Sequence, residues 1–264
     1  MISRRTALKA LAAASLAPAG FSARGAEKFP SRTVRIIVPY AVGTATDSTS
    51  RLLADGLAKV WKVPVTVENI AAASGIVGSG TLAKLPGDGY AMMMAASNHV
   101  INPHLYHDLP FDPIKDFTPI CMVAQTQVVV VVNASSQIHD LKGLIAEANR
   151  NKGRMNYGSA GNGSVGQLVM EQIKQISKAP IMHIPYRGQN QALTDLAGGQ
   201  VDAALPALAA AEPFLRSGRL RAIAVTGSKR SPLFPDIPTI EEQIGRPVEG
   251  LAWWGLLGPK GMPA

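Results

Sequence analysis

Two glycine-bearing segments stand where a strand-like run gives way to a helical period, and both could hold an anion. The first in chemical interest is Gly161-Asn162-Gly163-Ser164-Val165-Gly166, which has the spacing G-x-G-x-x-G. In that context it matches the fingerprint of dinucleotide-binding units, whose pyrophosphate sits on a helix N-terminus. The fingerprint also needs an acidic residue about 20 residues on, for the ribose. There the chain reads His183-Ile184-Pro185-Tyr186-Arg187, with no carboxylate. Arg187 could meet a 2′-phosphate, so an exported enzyme binding a nucleotide cofactor at Gly161–Gly166 stands as the alternative. The simpler chemistry is a small anion such as a carboxylate, held by backbone N–H groups and a helix start. Ser159, Asn162 and Ser164 add polar side chains to that loop. A tight turn without a ligand ranks between the two.

The second segment is Pro39-Tyr40-Ala41-Val42-Gly43-Thr44-Ala45-Thr46-Asp47. It follows the first strand-like run, at the carboxyl end where open α/β sheets bind ligands. Thr44 and Thr46 offer hydroxyls, and Gly43 permits close approach of the backbone. Asp47 suits the start of the following helix, where a carboxylate meets the positive end of the dipole.

Other chemistry is sparse. His104 and His107 stand three apart, near Asp108 and Asp112, and read as a surface pair rather than metal ligands. No G-x-S-x-G elbow and no lysine after a glycine loop is present. The single cysteine, Cys121, excludes an internal disulfide and a cysteine-only zinc site. It lies in Ile120-Cys121-Met122-Val123 and reads as core. No catalytic residue, metal or cofactor is expected.

The elements that would position the loops alternate. Strand-like runs are Val34–Val38, Val63–Glu68, Tyr90–Ala95, Val128–Val132, Met155–Ser159, Ile181–Ile184, Val201–Leu205, Leu220–Thr226 and Gly250–Leu257. Between them, helical spacing covers 47–60, 75–85, 140–151, 163–177, 189–197 and the vicinity of 212–217. Such alternation predicts α/β lobes, each a mostly parallel sheet with flanking helices and right-handed crossovers. Lobe junctions are expected near 124–127 and 227–238.

The chain has 264 residues, 47% of them hydrophobic and 17% charged, which excludes a disordered chain and suits two lobes. Residues 1–26 read as an export signal. Ser3-Arg4-Arg5-Thr6-Ala7-Leu8-Lys9 is basic and resembles a twin-arginine signal, and Ala10–Ala23 is uncharged and too short to span a bilayer. Taking Arg4, Arg5, Lys9 and Arg24 from the formal +8 leaves +4. The remaining bases are scattered, so no nucleic-acid partner is expected. No later run is long enough for a membrane helix, and a soluble periplasmic protein is expected.

A family resemblance rests on motifs in order. In the first half they are Arg35-Ile36-Ile37-Val38-Pro39-Tyr40, Val67-Glu68-Asn69, Pro86-Gly87-Asp88-Gly89-Tyr90, Asn102-Pro103-His104-Leu105-Tyr106, Leu109-Pro110-Phe111-Asp112-Pro113 and Lys115-Asp116-Phe117. In the second they are Asn156-Tyr157-Gly158-Ser159, Gly161-Asn162-Gly163-Ser164, His183-Ile184-Pro185-Tyr186-Arg187-Gly188, Gly198-Gly199-Gln200-Val201-Asp202, Leu220–Thr226 and Pro235-Asp236-Ile237-Pro238-Thr239. This order resembles the Bug family of periplasmic solute-binding proteins, the receptors of tripartite tricarboxylate transporters. The resemblance implies a two-lobed periplasmic-binding-protein (Venus-flytrap) fold with the ligand in the cleft. It implies a ligand among di- and tricarboxylates, acidic amino acids and aromatic acids, held by backbone amides, hydroxyls and waters. By position, contacts would come from Tyr40, Ala41, Val42, Gly43, Thr44, Ala45 and Thr46, and from Ser97 and Asn98. The second lobe would add Ser159, Ala160, Gly161, Asn162, Gly163 and Ser164.

Implied partners are the carboxylate and the transporter's membrane subunits, with the receptor a monomer and not an enzyme. The expected organisation is signal 1–26, first lobe 27–125, second lobe 126–228, and a return to the first lobe over 229–264 that ends before the family's last helices. Three positions depart from the family pattern. Val42-Gly43-Thr44 stands for Pro-Gly-Gly, Ile70-Ala71 for Arg-Pro, and Pro206 for an aspartate that can face the cleft.

Overall fold

β-branched and aliphatic runs form the centre of two sheets. The computed structural model describes residues 28–263, and the segment read as an export signal lies outside them. One folded unit begins at Arg32. Its first half contains β1 (Val34–Val38), α1 (Ala45–Trp61), β2 (Val65–Asn69), α2 (Ile76–Ala83), β3 (Ala91–Ala96), α3 (Asn98–Ile101) and β4 (Phe117–Gln127). Then come β5 (Val129–Asn133), α4 (Leu141–Arg150), β6 (Asn156–Ser159), α5 (Val165–Ser177), β7 (Met182–Pro185) and α6 (Gln189–Ala197). The chain continues through β8 (Ala203–Ala204), α7 (Leu208–Arg216), β9 (Leu220–Val225), α8 (Ile240–Ile244) and β10 (Leu251–Pro259).

The strand orders are β2-β1-β3-β10-β4 and β7-β6-β8-β5-β9. Each sheet thus contains a parallel triplet in which the first strand lies between the next two. That reversal opens a crevice at the strands' carboxyl ends. Val129–Val132 is buried on both faces, as a continuous apolar strand should be.

The sheets are mostly parallel, as expected, each with one opposed strand. β10 pairs antiparallel with both β3 and β4, and β5 pairs antiparallel with both β8 and β9. Four strands of each sheet therefore run one way and a single strand, β10 or β5, runs against them. β4 was not expected as a strand. It forms a sheet edge, where Pro119 is tolerated because an edge residue need not donate to a neighbour. Cys121, expected in the core, is exposed there beside Met122, which is 60% exposed.

The return to the first sheet also begins later than expected. Ile240 and Val248 are buried in the cluster that covers β5, α4 and α5, so only β10 crosses. The chain passes between the sheets at Val128 and again at Gly250, and Thr226 ties the two passages together. Its backbone N–H donates to the Val128 carbonyl (3.0 Å), and its Oγ1 accepts the Val128 N–H (3.0 Å). The same hydroxyl donates to the Gly250 carbonyl at 2.6 Å. A Cβ on Gly250 would lie 2.5 Å from the Val169 side chain, so this passage takes no side chain.

A second tie fixes the start of α1. The buried Asp47 carboxylate accepts the Gly43 N–H (3.0 Å), Asn69 Nδ2 (2.9 Å) and Arg51 Nε (3.1 Å). Asn69 Nδ2 also donates to the Tyr40 carbonyl at 3.1 Å. The loop after β1 is thereby held at both ends. Burial pushes the Asp47 carboxyl up, but hydrogen bonds from Arg51, Gly43 and Asn69 outweigh it and hold the group below the usual carboxylate range.

Two outcomes follow from these ties. Thr226→Val keeps the shape but leaves the buried Val128 N–H without its hydroxyl, and urea denaturation should show a loss of about 1–3 kcal/mol. Ionised Asp47 adds stability that is complete above the unfolded value of about 3.9 and is lost as pH falls through the lower folded value. The stability gap between wild type and Asp47→Asn should therefore be widest near neutral pH and shrink in acid. A constant gap in a pH series of melts would contradict that role.

Candidate functional site

A cavity of about 610 Å³ opens at the carboxyl ends of the two parallel triplets. Pro39 and Tyr40 after β1, Ala96 and Ser97 at β3, Ala160 and Gly161 after β6, and Pro185 and Tyr186 at β7 all line it. The residue preceding each of six helices lines it too: Thr44, Gly75, Ser97, Ser164, Gly188 and Ala207. A helix start carries N–H groups without intrahelical partners and the positive end of the dipole. Thr44 and Ser164 cap their helices with side-chain oxygens, accepting the N–H groups of Asp47 and Gln167.

Arg187 is the one charged residue in the lining, and no carboxylate or imidazole lines it among the described residues. Tyr40 and Tyr186 are neutral phenols. Burial pushes the Tyr40 phenol far up, and burial with a hydrogen bond to Asp195 pushes Tyr186 up to about 12. Uncharged polar side chains such as Thr44, Ser97, Asn98, Asn162 and Gln189 alternate with apolar ones, among them Ala71, Val128, Val165, Leu205, Trp253 and Trp254. Such a wall offers no nucleophile paired with a base. It offers positive potential and N–H donors, which is the chemistry of anion binding.

Most of the residues expected from sequence come together here. Tyr40, Ala41, Thr44, Ala45, Thr46, Ser97, Asn98, Ala160, Gly161, Asn162 and Ser164 line the cavity. Val42, Gly43, Ser159 and Gly163 do not. Val42 is 70% exposed. Gly43, at φ +80°, takes a hydrogen bond from Asn190 Nδ2 on its carbonyl (3.1 Å), which joins the first-lobe loop to α6. Ser159 lies behind the loop, where its Oγ accepts the Gly161 N–H (3.1 Å). Gly163 packs against the other half of the molecule, with the position of a Cβ 2.7 Å from Leu105 Cδ1. Two hydroxyls frame the wall: Thr46 Oγ1 accepts Trp254 Nε1 (2.9 Å) and Ser97 Oγ accepts the Trp253 N–H (3.1 Å).

Two lining segments, 71–75 and 252–254, were not foreseen, and 185–189 was weighed only as a phosphate contact through Arg187. In the first, Ala73, Ser74 and Gly75 hold φ of 47°, 53° and 90° in succession. Each left-handed L-residue costs about 1–2 kcal/mol. Asn102 Nδ2 holds the turn by donating to the Ser74 carbonyl (3.0 Å), and Ser74 Oγ meets Tyr106 Oη (3.2 Å). Ala-Ala-Ala-Ser-Gly has no side chain that announces this role. The motif His183–Gly188 was visible, and Arg187 within it was the one usable signal.

Proteins of known sequence and structure resemble this chain over most of its length. BugT of Bordetella pertussis is 34% identical over 261 residues, covering 97% of this chain and 79% of its own. A protein of R. palustris solved with adipate superposes with a TM-score of 0.84 at 32% identity, over 89% of this chain and 79% of that one. MatC of Rhodopseudomonas palustris, solved with bound malate, gives a TM-score of 0.81 at 31% identity, over 89% of this chain and 80% of that one. The fold is therefore that of periplasmic binding proteins, and the nucleotide-enzyme alternative finds no support in these likenesses. Residues 49–264 match the family described as the tripartite tricarboxylate transporter family receptor, and the chain belongs to that family.

Proposed function

We propose that this receptor takes a small organic anion with two acidic groups into the cleft, outside the cytoplasm, and presents it to membrane subunits of a tripartite transporter. It acts as a monomer and carries out no reaction. The observation that carries the reading is the convergence of six helix starts and Arg187 on a cavity without a lining carboxylate. One carboxylate meets the Ala160 and Asn162 N–H groups and the Ala45 and Thr46 N–H groups at the start of α1, because the Gly161, Gly163, Ser164, Gly43 and Thr44 N–H groups already donate within their own loops. Arg187 meets the second by a charge-assisted pair. An ammonium group would find no acidic partner in the lining, and Pro206 stands where the family resemblance places an aspartate. Diacids are therefore preferred over acidic amino acids. The adipate and malate seen in the two relatives are ligands of that class. Lobe closure pivots at the passages through Val128 and Gly250 and brings 160–164 onto α3.

A thermal-shift screen with adipate, malate, benzoate and glutamate tests the reading. Ligand at 100 times Kd adds about 2.7 kcal/mol, a rise of about 5–10 °C for a protein of this size. Diacids should give the largest shift, and no shift with any acid would overturn the proposal. Arg187→Met should weaken diacid binding by about tenfold or more, the worth of a hydrogen bond to a charged group.

The Gly163 contact yields a separate outcome. A side chain there meets Leu105 and must adopt φ +75°. Gly163→Val should weaken diacid affinity, and Leu105→Ala in the same chain should restore part of it by calorimetry. Equal affinity in both would show that this contact plays no part in closure.

A further inference from the structure

Behind the 160–164 loop lies a set of side chains that the carboxylate reading leaves unused. His183, on β7, meets Ser159 Oγ through Nε2 (2.7 Å) and Gln167 Nε2 through Nδ1 (3.3 Å). Ser159 Oγ also accepts the Gly161 N–H and lies 3.1 Å from the Gly161 carbonyl oxygen. Gln167 Oε1 accepts the Gly163 N–H at 2.7 Å.

Donor and acceptor counts select one form of the ring. A serine hydroxyl has one hydrogen and two lone pairs. Ser159 gives its hydrogen to the Gly161 carbonyl, so both lone pairs accept, one from Gly161 and one from His183 Nε2–H. The Gly163 N–H fixes Gln167 with its oxygen toward the loop and its NH₂ toward Nδ1. Nδ1 must then carry no proton. All groups are satisfied only by neutral His183 with its hydrogen on Nε2.

We propose that His183, acting through Gln167 and Ser159, is a positioning residue for the anion loop, and that protonating it undoes the loop. The inference rests on the reading of 160–164 as an anion site. A proton on Nδ1 faces the Gln167 NH₂, so the amide must turn over. Its NH₂ then faces the Gly163 N–H, and the loop loses that anchor.

The neighbours of the ring are Tyr157, Glu171 and Lys174. Tyr157 stacks on it at 4.9 Å and donates to Glu171 Oε1 (2.8 Å), which also accepts from Lys174 Nζ (2.8 Å). Burial is the largest influence and favours the neutral ring. Glu171 opposes it and Lys174 adds to it, leaving His183 below the usual histidine value. The ordered loop is complete above that ordinary value of about 6.5 and is lost as pH falls through the lower folded value.

The sign of the effect is diagnostic. An imidazolium acting by charge alone would raise affinity for an anion, whereas a positioning role lowers it. The first arm uses the ligand-free chain. In ¹⁵N NMR, the ring should show the Nε2–H form near pH 7.5, and the Gly161 and Gly163 amides should shift with the His183 titration. Gln167→Met should abolish the Gly163 response while His183 still titrates. The Nδ1–H form, or a Gly163 amide indifferent to pH, would overturn the proposal.

The second arm is calorimetry with malate and adipate. Between about pH 7.5 and about pH 5, wild-type affinity should fall about tenfold more than that of His183→Gln, whose amide keeps a donor for Ser159 without titrating. Protonation of the acid itself is common to both proteins and cancels in the ratio. A ratio that stays level or rises overturns the positioning role. If neither acid binds either protein at neutral pH, the carboxylate reading fails, and the NMR arm alone decides the positioning role.

Discussion

A helix cannot satisfy its own first N–H groups, and six helices begin at one cavity. Side chains satisfy some of these donors, as Thr44, Ser164 and Gln189 do, and those left over with the positive helix ends favour something negative in the cavity. The parallel triplets in the two sheets are the means of gathering the helix starts. Each crossover helix begins where a strand ends, so all of them open on the same edge. The proposed anion site is thus a property of the topology before it is a property of any side chain.

The site is correspondingly held from behind. Asp47 and Asn69 fix the loop after β1, Asn102 and Tyr106 fix the left-handed turn at 73–75, and Ser159 with Gln167 fix the second-lobe loop. None of these supporting groups needs to touch the ligand. Backbone donors have no adjustable side chain, and their direction is set entirely by such anchors. This explains why a chain with 17% charged residues can recognise an anion with one lining cation.

Legibility in sequence followed the same division. β1 and β5 were plain because Val-Arg-Ile-Ile-Val and the valine run can hardly be anything but buried strands. The two glycine loops were plain because their glycines occupy sharp strand-to-helix turns, as the φ of +117° at Gly161 shows. The 71–75 turn was hidden, since it contributes backbone alone. β4 was hidden by Pro119 and by the lack of any alternation, and only its partner β10 makes it a strand. The placement of 240–248 beside β5 was hidden as well, because no local pattern says which of two sheets a helix covers.

The position of β10 bears on the order of assembly. Every strand of the second sheet comes from one continuous stretch, β5 to β9, whereas the first sheet has a gap between β3 and β4 until residues 251–259 arrive. Closing that gap joins Gln127 to Leu251 across the whole second half of the molecule. The entropy of so long a closure falls to about that of a short one if the intervening chain is already compact. Folding of the inner half therefore speeds completion of the outer one, and the slowest contacts to form are those on both flanks of a single late strand.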